Sequence, residues 1–495
     1  MSAKKRFLAF DIGASNGRAI VGEWDGKRLG CEDIYHFPNE PVQVHGSIYW
    51  DALRLFGDIK KGLAECAGRY GSEVDGIGID TWGVDFSLLD TDGRLLGNPH
   101  HYRDKRAKGM PEAIRLKVDA YEVFSATGVQ IERVGTLAQL YSMVCGKSPQ
   151  LAAADRLLMM PSLFAYFLTG NKLDEHSGIS NTALISFEND APVTQVFEKL
   201  GIPQRILPKA VKPGTILGPL SPSVTEETGM GAIPVIAPAT HDTASAVISV
   251  PADPSTDWAF LSCGTWSILG IETDRPLTSR EAFEAGVTSA ATADGKYMPR
   301  LNITGLWILQ ELRRIWNKQG AGLDWETMVG MAESAPPFAA FIDADSPELV
   351  NPPDMPRAIS DHLRKSGQSV PDDKGTMIRI VIECLALKYR DKLTKMEQLS
   401  GKRKQLLHVL GGGVRNALLC QFTANAVGVP VIAGPVEATA MGNLLVQMVG
   451  ARVFDSVAQG RQALRDSCEV REYAPTDTTL WDEAYSRYLK ALGRE

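Results

Sequence analysis

Apolar runs and amphipathic stretches alternate along most of the chain. RFLAFDIG (6–13) and AIVGEWDG (19–26) are apolar runs joined by a Gly/Ser-rich turn, which predicts a β-hairpin. WDALRLFGDIKKGLAECA (50–67) carries Leu53, Phe56, Ile59 and Leu63 at three- and four-residue spacing and predicts an amphipathic helix. VDGIGIDTWGVDFSLLD (74–90) returns to strand. Further on, MIRIVIECLALKYRDKL (377–393) reads as a helix apolar on most sides and therefore buried. LLHVLGGG (406–413) reads as a strand entering a glycine turn, followed by a helix (416–428), a strand (429–434) and a helix (437–450). Proline-rich stretches near 336–337 and 352–356 read as surface loops. The alternation predicts the α/β class. At 495 residues the chain exceeds what one core serves, so two domains are expected, divided as 1–245 and 246–495.

One pattern occurs twice. FLAFDIGASNGRAIVGEW (7–24) and WAFLSCGTWSILGIE (258–272) each run strand, Gly/hydroxyl turn, strand, half the chain apart. The pair is either a coincidence of two hairpins or the mark of two related domains, each offering a turn to a shared cleft.

Composition narrows the function. A net charge of -7 with no basic stripe argues against a nucleic-acid partner. No window approaches 18 uninterrupted apolar residues, and Asp11 interrupts the N-terminal apolar run too early for a signal segment, so no membrane span is expected. The seven cysteines are scattered, without C-x-x-C pairs, and read as buried free thiols in a reducing compartment; a cytoplasmic location is expected.

Several turns could carry chemistry. In DIGASNG (11–17), glycines let backbone N–H groups converge on an anion while Ser15 adds a donor, and Asp11 at the strand end could orient hydrated Mg²⁺. The pattern is neither G-x-G-x-x-G nor a P-loop. SCGTWS (262–267) would oppose it through Gly264 and Thr265; otherwise it is a tight hairpin with Trp266 filling the core. LGGGVRN (410–416) permits backbone approach to a flat ligand. In VIAPATHDTASAVISV (235–250), a β-branched run ends in His241-Asp242-Thr243 and a helix-like stretch follows. Asp242 or Thr243 could simply cap that helix, or Asp242 could also act on a substrate. Trp82 and Asp85 read either as an aromatic wall with a hydroxyl partner or as a core Trp and a turn Asp. The YRDKR charges (102–106) read as a surface ion pair, and what Tyr102, Arg103 and Asp104 touch is left open.

Taken together, FDIGASNGR, IGIDTWGVDFSLLD, HDTASAVI, SCGTWS, NITGLWILQ, VLGGGVRN and AGPVEATAMGN resemble the FGGY carbohydrate kinases, in order from residue 7 to about 445. Within that family the likeness is greatest to the branch that phosphorylates L-rhamnulose. The resemblance implies two actin-like (ribonuclease H-like) ATPase domains with the active site in the interdomain cleft. It further implies ATP and Mg²⁺ as requirements, a ketose as partner, and a monomer or homodimer. Ala14, Ser15, Asn16, Gly17 and Arg18 would form the first phosphate loop, with Asp11 near the metal through water. Thr265, Gln310, Gly412 and Asn416 would meet the nucleotide. Trp82, Gly83, Asp85, His241, Thr243 and Asn302 would face the sugar, and Asp242 would accept the proton of its 1-hydroxyl. Other ketoses such as L-fuculose or L-xylulose are the nearest alternatives, because Gly135-Thr136-Leu137 departs from the rhamnulose-type pattern. An actin-like nucleotide switch would need neither HDTAS nor DTWGVD, and a catalytically dead sugar sensor would not need the phosphate-turn residues, none of which is lost here.

Overall fold

The computed structural model describes residues 4–494. By contacts it divides into two compact units. The first comprises residues up to 252 with 272–299 and 437–468; the second comprises 253–271, 300–436 and residues from 469 onward. Two stretches from beyond residue 246 therefore pack into the first unit.

The first unit is built on strands β1 (Lys5–Ile12), β2 (Asn16–Trp24), β3 (Leu29–Pro38), β4 (Gly76–Thr81), β5 (Ile216–Pro219) and β6 (Pro234–Ile236). Their order is β3-β2-β1-β4-β6-β5. β1 pairs antiparallel with β2 and β2 with β3; β4 lies parallel to β1 and β6 parallel to β4; β5 closes the edge antiparallel to β6. The second unit uses β7 (Trp258–Cys263), β8 (Trp266–Gly270), β9 (Tyr297–Thr304, of which 300–304 lie in this unit), β10 (Leu406–Leu410), β11 (Val431–Ala433) and β12 (Arg471–Tyr473). The order β9-β8-β7-β10-β11-β12 repeats the same sequence of antiparallel, antiparallel, parallel, parallel and antiparallel pairings. The recurring hairpins are thus the visible part of a six-strand topology that occurs twice.

The helices that matter below are α1 (Ala52–Tyr70), α2 (Thr136–Cys145), α3 (Asp242–Ile248), α4 (Trp307–Lys318), α5 (Lys374–Ser400), α6 (Ala417–Val427), α7 (Ala438–Gly450) and α8 (Thr478–Ala491). α1 starts where the Asp51 carboxylate accepts the Arg54 N–H and ends at Gly71, whose φ of 60° favours glycine. Its buried face is Leu55, Ile59, Leu63 and Cys66, each large side chain worth about 1.5–3 kcal/mol on burial. Leu53, expected inside, is 61% exposed; the stripe runs through Leu55 instead, sharing Ile59 and Leu63 with the expected one. α5 is buried over most of its first twenty residues, as its apolar pattern requires.

Three smaller expectations change. Pro356 does not lie in a loop but in the first turn of the helix Met355–Lys365, where its fixed φ and missing N–H cost nothing. All seven cysteines are free, but Cys145 is exposed and Cys31 and Cys468 are only part-buried. The segment 74–90 is not one strand: β4 ends at Thr81, and Phe86–Leu89 pairs separately with Arg156–Met159. Among the described residues no helix is long and apolar enough to cross a membrane.

Candidate active site

Parallel strands deliver their C-terminal ends to one edge, the edge where open α/β sheets hold ligands. In the first unit β1 and β4 run side by side with Asp11 opposite Asp80, and Thr81 bridges to His241 just beyond β6. Asp11, Asp80 and Asp242 are thereby gathered at this edge. Asp80 is fully buried; its Oδ2 accepts from Asn443 Nδ2 at 2.6 Å, while its Oδ1 has no hydrogen-bond partner among the described residues. Burial first, then the neighbouring Asp11 and Asp242 charges, push the Asp80 pKa well above the usual carboxylate range. Burial also raises Asp11, against the opposing pull of Arg18. Arg18 donates to Asp11 Oδ2 at 2.8 Å and pairs with Glu437 at the start of α7. Arg18 is therefore already clamped by two carboxylates.

Asp242 is the first residue of α3, with His241 as N-cap. Its Oδ1 accepts the Thr243 N–H at 2.5 Å and lies 3.1 Å from Thr243 Oγ1 and 3.5 Å from His241 Nε2. So Asp242 does serve the helix end, and its side chain is still 32% exposed. The segment leading to it is held by Glu175, which is buried and accepts from the Thr240 N–H, the Thr240 hydroxyl and Ser177. A close helix contact fixes α3 from the other side: a Cβ on Gly442 of α7 would lie 1.8 Å from Ser245 O.

Gly83 belongs beside His241, since a Cβ there would stand 2.8 Å from His241 Nε2 and 3.1 Å from Asn181 Nδ2. Trp82 is buried and packs on Trp50 at 4.2 Å between ring centroids; Trp50 stacks on His101, and His101 on Tyr102. Asp85 does not face open space as expected of a hydroxyl partner. It is fully buried, and its oxygens accept from Trp50 Nε1 at 2.5 Å, Trp82 Nε1 at 2.9 Å, Gln139 Nε2 at 2.8 Å and the Tyr102 N–H at 3.2 Å. Four donors leave a carboxylate little capacity for a ligand, so Asp85 orders the aromatic wall. Burial raises its pKa to about 6 despite those donors. Among the described residues the YRDKR charges form no surface ion pair: Asp104 is buried and accepts the Ile48 and Arg106 N–H groups, and Arg106 donates to Gln139.

Among the first-turn residues, Ser15 and Asn16 are exposed, Ala14 is half-buried and Gly17 is buried. A Cβ on Gly17 would meet the Phe37 ring at 2.2 Å, so packing alone requires that glycine. Asn39 steadies the turn by donating to Gly13 O and Ser15 O. In the second unit Gly264 and Thr265 form the matching turn, and their carbonyls accept the Leu306 and Trp307 N–H groups at the start of α4. Gly305 makes this approach possible, since a Cβ there would be 2.5 Å from Ser267 Oγ. Trp266, expected either beside a ligand turn or in the core, is 49% exposed and fills no core. Asn302 is exposed on β9 and Gln310 half-buried on α4. Of the three glycines after β10, Gly411 has φ 78° and Gly413 faces Cys263 Sγ at 2.3 Å from a built Cβ, whereas Gly412 is exposed with nothing near it. Asn416 caps α6 by accepting the Leu419 N–H.

The sequence profile of the N-terminal domain of the FGGY family of carbohydrate kinases matches residues 6–249, and that of the C-terminal domain matches 259–451. The chain belongs to the FGGY family of carbohydrate kinases. It is a sugar kinase, a phosphotransferase of a family that uses ATP. A rhamnulokinase of Bacteroides thetaiotaomicron is 39% identical over 99% of this chain and 100% of its own length. Rhamnulokinases of Pectobacterium atrosepticum and Enterococcus faecalis are each 35% identical, over 96% and 98% of this chain and 94% and 98% of their own. The fold matches a xylulose kinase from Lactobacillus acidophilus (TM-score 0.81, 14% identity, 99% of this chain and 98% of that one). It also matches Plasmodium falciparum glycerol kinase with ADP (TM-score 0.80, 15% identity, 99% and 98%). In this FGGY kinase Trp50, His101 and Gln139 help build the site from outside the family motifs, and Asn443 closes AGPVEATAMGN. Asp80 lies within IGIDTWGVDFSLLD, where its signal is a charged residue near the end of an otherwise apolar strand.

Proposed function

We propose that this kinase transfers the γ-phosphoryl group of ATP to the 1-hydroxyl of L-rhamnulose, giving L-rhamnulose 1-phosphate and ADP. The substrate reading rests on near-full-length likeness to rhamnulokinases at 32–39% identity. The reaction reading rests on one observation: Asp242 stands at a strand end with its carboxylate part-exposed while the neighbouring Asp80 is sealed. Asp242 accepts the proton as the sugar hydroxyl attacks, a role that contributes about 10²–10⁴-fold. His241, Thr243 and Gly83 border the acceptor, and Trp82 walls it. Asn302 faces the sugar; Gln310, Thr265, Gly412 and Asn416 meet the nucleotide, and Ala14 to Arg18 hold phosphate oxygens. The functional domains divide near 245/246, a reading the profile matches on 6–249 and 259–451 support.

Mg²⁺ fits the residues present. Among the described residues no cluster of three or more acidic, His or Cys side chains could cage a metal, and Mg²⁺ keeps its waters and takes one or two carboxylates plus substrate phosphates. Asp11, with one oxygen given to Arg18, has the other to offer through water. When bound, the ion neutralises charge on the phosphate oxygens. We place the enzyme in the cytoplasm as a monomer or homodimer. A coupled ADP-release assay across L-rhamnulose, L-fuculose and L-xylulose tests the substrate: robust turnover with L-rhamnulose is expected, and turnover only with another ketose overturns the assignment.

A further inference from the structure

The second unit holds a cavity of about 460 Å³ far from the nucleotide turns, within the size range of small-molecule sites. Arg390, Arg403, Lys404 and Thr478 line it, together with Glu397 and Asp482. Its position follows from the sheet. Lys404 lies just before β10, and Asp257, which it faces, just before β7; the other ends of these two parallel strands enter the turns at Gly411 and Gly264. Six strand residues separate the two ends, about 20 Å.

Two of the cations are poorly compensated. Lys404 is 7% exposed, its Nζ makes no hydrogen bond among the described residues, and the Asp257 carboxylate stands off at 4.0 Å. Burial lowers the pKa of that ammonium. Arg403 is exposed and, among the described residues, makes neither a side-chain hydrogen bond nor an ion pair. Of the carboxylates in the wall, Asp482 accepts from Arg390 at 2.6 Å, and Glu397 accepts the Lys404 backbone N–H at 2.7 Å and offsets part of the Lys404 charge, which leaves Arg403 as the cation with no carboxylate facing it among the described residues. Thr478 opens α8, a fourteen-residue helix whose N-cap, Asp477, makes no side-chain capping bond. Its first N–H groups thus add an uncapped positive dipole end to the same wall. A buried ammonium, a guanidinium and an uncapped helix start suit a phosphate group, and the volume exceeds what bare phosphate fills.

We infer that this cavity binds a small organic phosphate, its phosphate group held by Lys404, Arg403 and the start of α8, at a site separate from the kinase reaction. The test is calorimetric titration of the full-length protein with fructose 1-phosphate and, separately, inorganic phosphate. Wild type should show a binding event that Arg403→Ala and Lys404→Met each weaken about tenfold or more, with kcat unchanged in Arg403→Ala. Arg403 is exposed, so that variant folds even if Lys404→Met does not. Tighter binding of the ester than of phosphate supports the inference in full; equal binding overturns its organic part. A single event lost only in Thr265→Val, or binding indifferent to Arg403, overturns it altogether.

Discussion

Replacing Gly442 by alanine sets a methyl group where α7 crosses α3, at 1.8 Å from the Ser245 carbonyl oxygen. An ordinary C···O approach is about 3.3 Å or more, so the helices must part by about 1.5 Å. Backbone faces backbone here, and no side chain can swing aside. Overpacking of this kind costs about 1–3 kcal/mol, while alanine returns up to about 1 kcal/mol of helix propensity. The net loss of stability is therefore small, about 0–2 kcal/mol. Function has no such offset. Ser245 is one turn from Asp242, its N–H bonded to His241 O at 3.0 Å, and the next residue on α7, Asn443, holds Asp80. A displacement of about 1 Å at reacting groups can cost about 10²-fold. Gly442→Ala should thus lower kcat about 100-fold while the thermal midpoint falls by only a few degrees, read by coupled ADP release and scanning calorimetry. Retention of kcat within threefold would refute the claim that this helix contact sets the position of Asp242.

Asp242→Asn should lower kcat by about 10²–10⁴-fold or more with ATP affinity kept within a few-fold, measured by turnover and nucleotide titration; retained turnover would show another base at work. Asp85 has a folded pKa of about 6, raised by burial from an ordinary value near 3.8. The folded state therefore holds its proton more tightly, and stability from this group is present below about pH 4 and lost as pH rises to about 6, by roughly 3 kcal/mol. Comparing urea midpoints of wild type and Asp85→Asn at pH 4 and pH 7 should show that slope in wild type alone. Gly412→Ala and Gly413→Ala separate ligand from packing. The first should raise the KM for ATP without moving the thermal midpoint, and the second, driving a methyl into Cys263, should lower the midpoint as well.

What could be read from residues alone was local or repeated. The hairpins at 5–24 and 258–270 announced themselves through apolar runs and turns, and Asp242 through its place after a β-branched run. Leu53 and Leu55 carry the same apolar signal, and only the neighbours of α1 decide which one faces inward. Asp85 resembled a ligand group because sequence does not tell that Trp50, Gln139 and Tyr102, from 17 to 54 positions away, would saturate it. The glycines of LGGGVRN look alike in a string. A φ angle, a sulfur atom and open space distinguish them. Gly78 shows the same limit, since its missing Cβ is explained by Asn443 and Gln447, more than 360 residues later.

That last dependence has a bearing on how the molecule comes into being. At about 5–20 residues per second, the ribosome needs about 10–40 s to travel from residue 252 to the end of the 437–468 stretch. Throughout that interval α3 lacks the surface Gly442 offers it, and Asp80 lacks Asn443. The emerging polypeptide therefore carries Asp242 in an unfinished setting until the 437–468 stretch has been made.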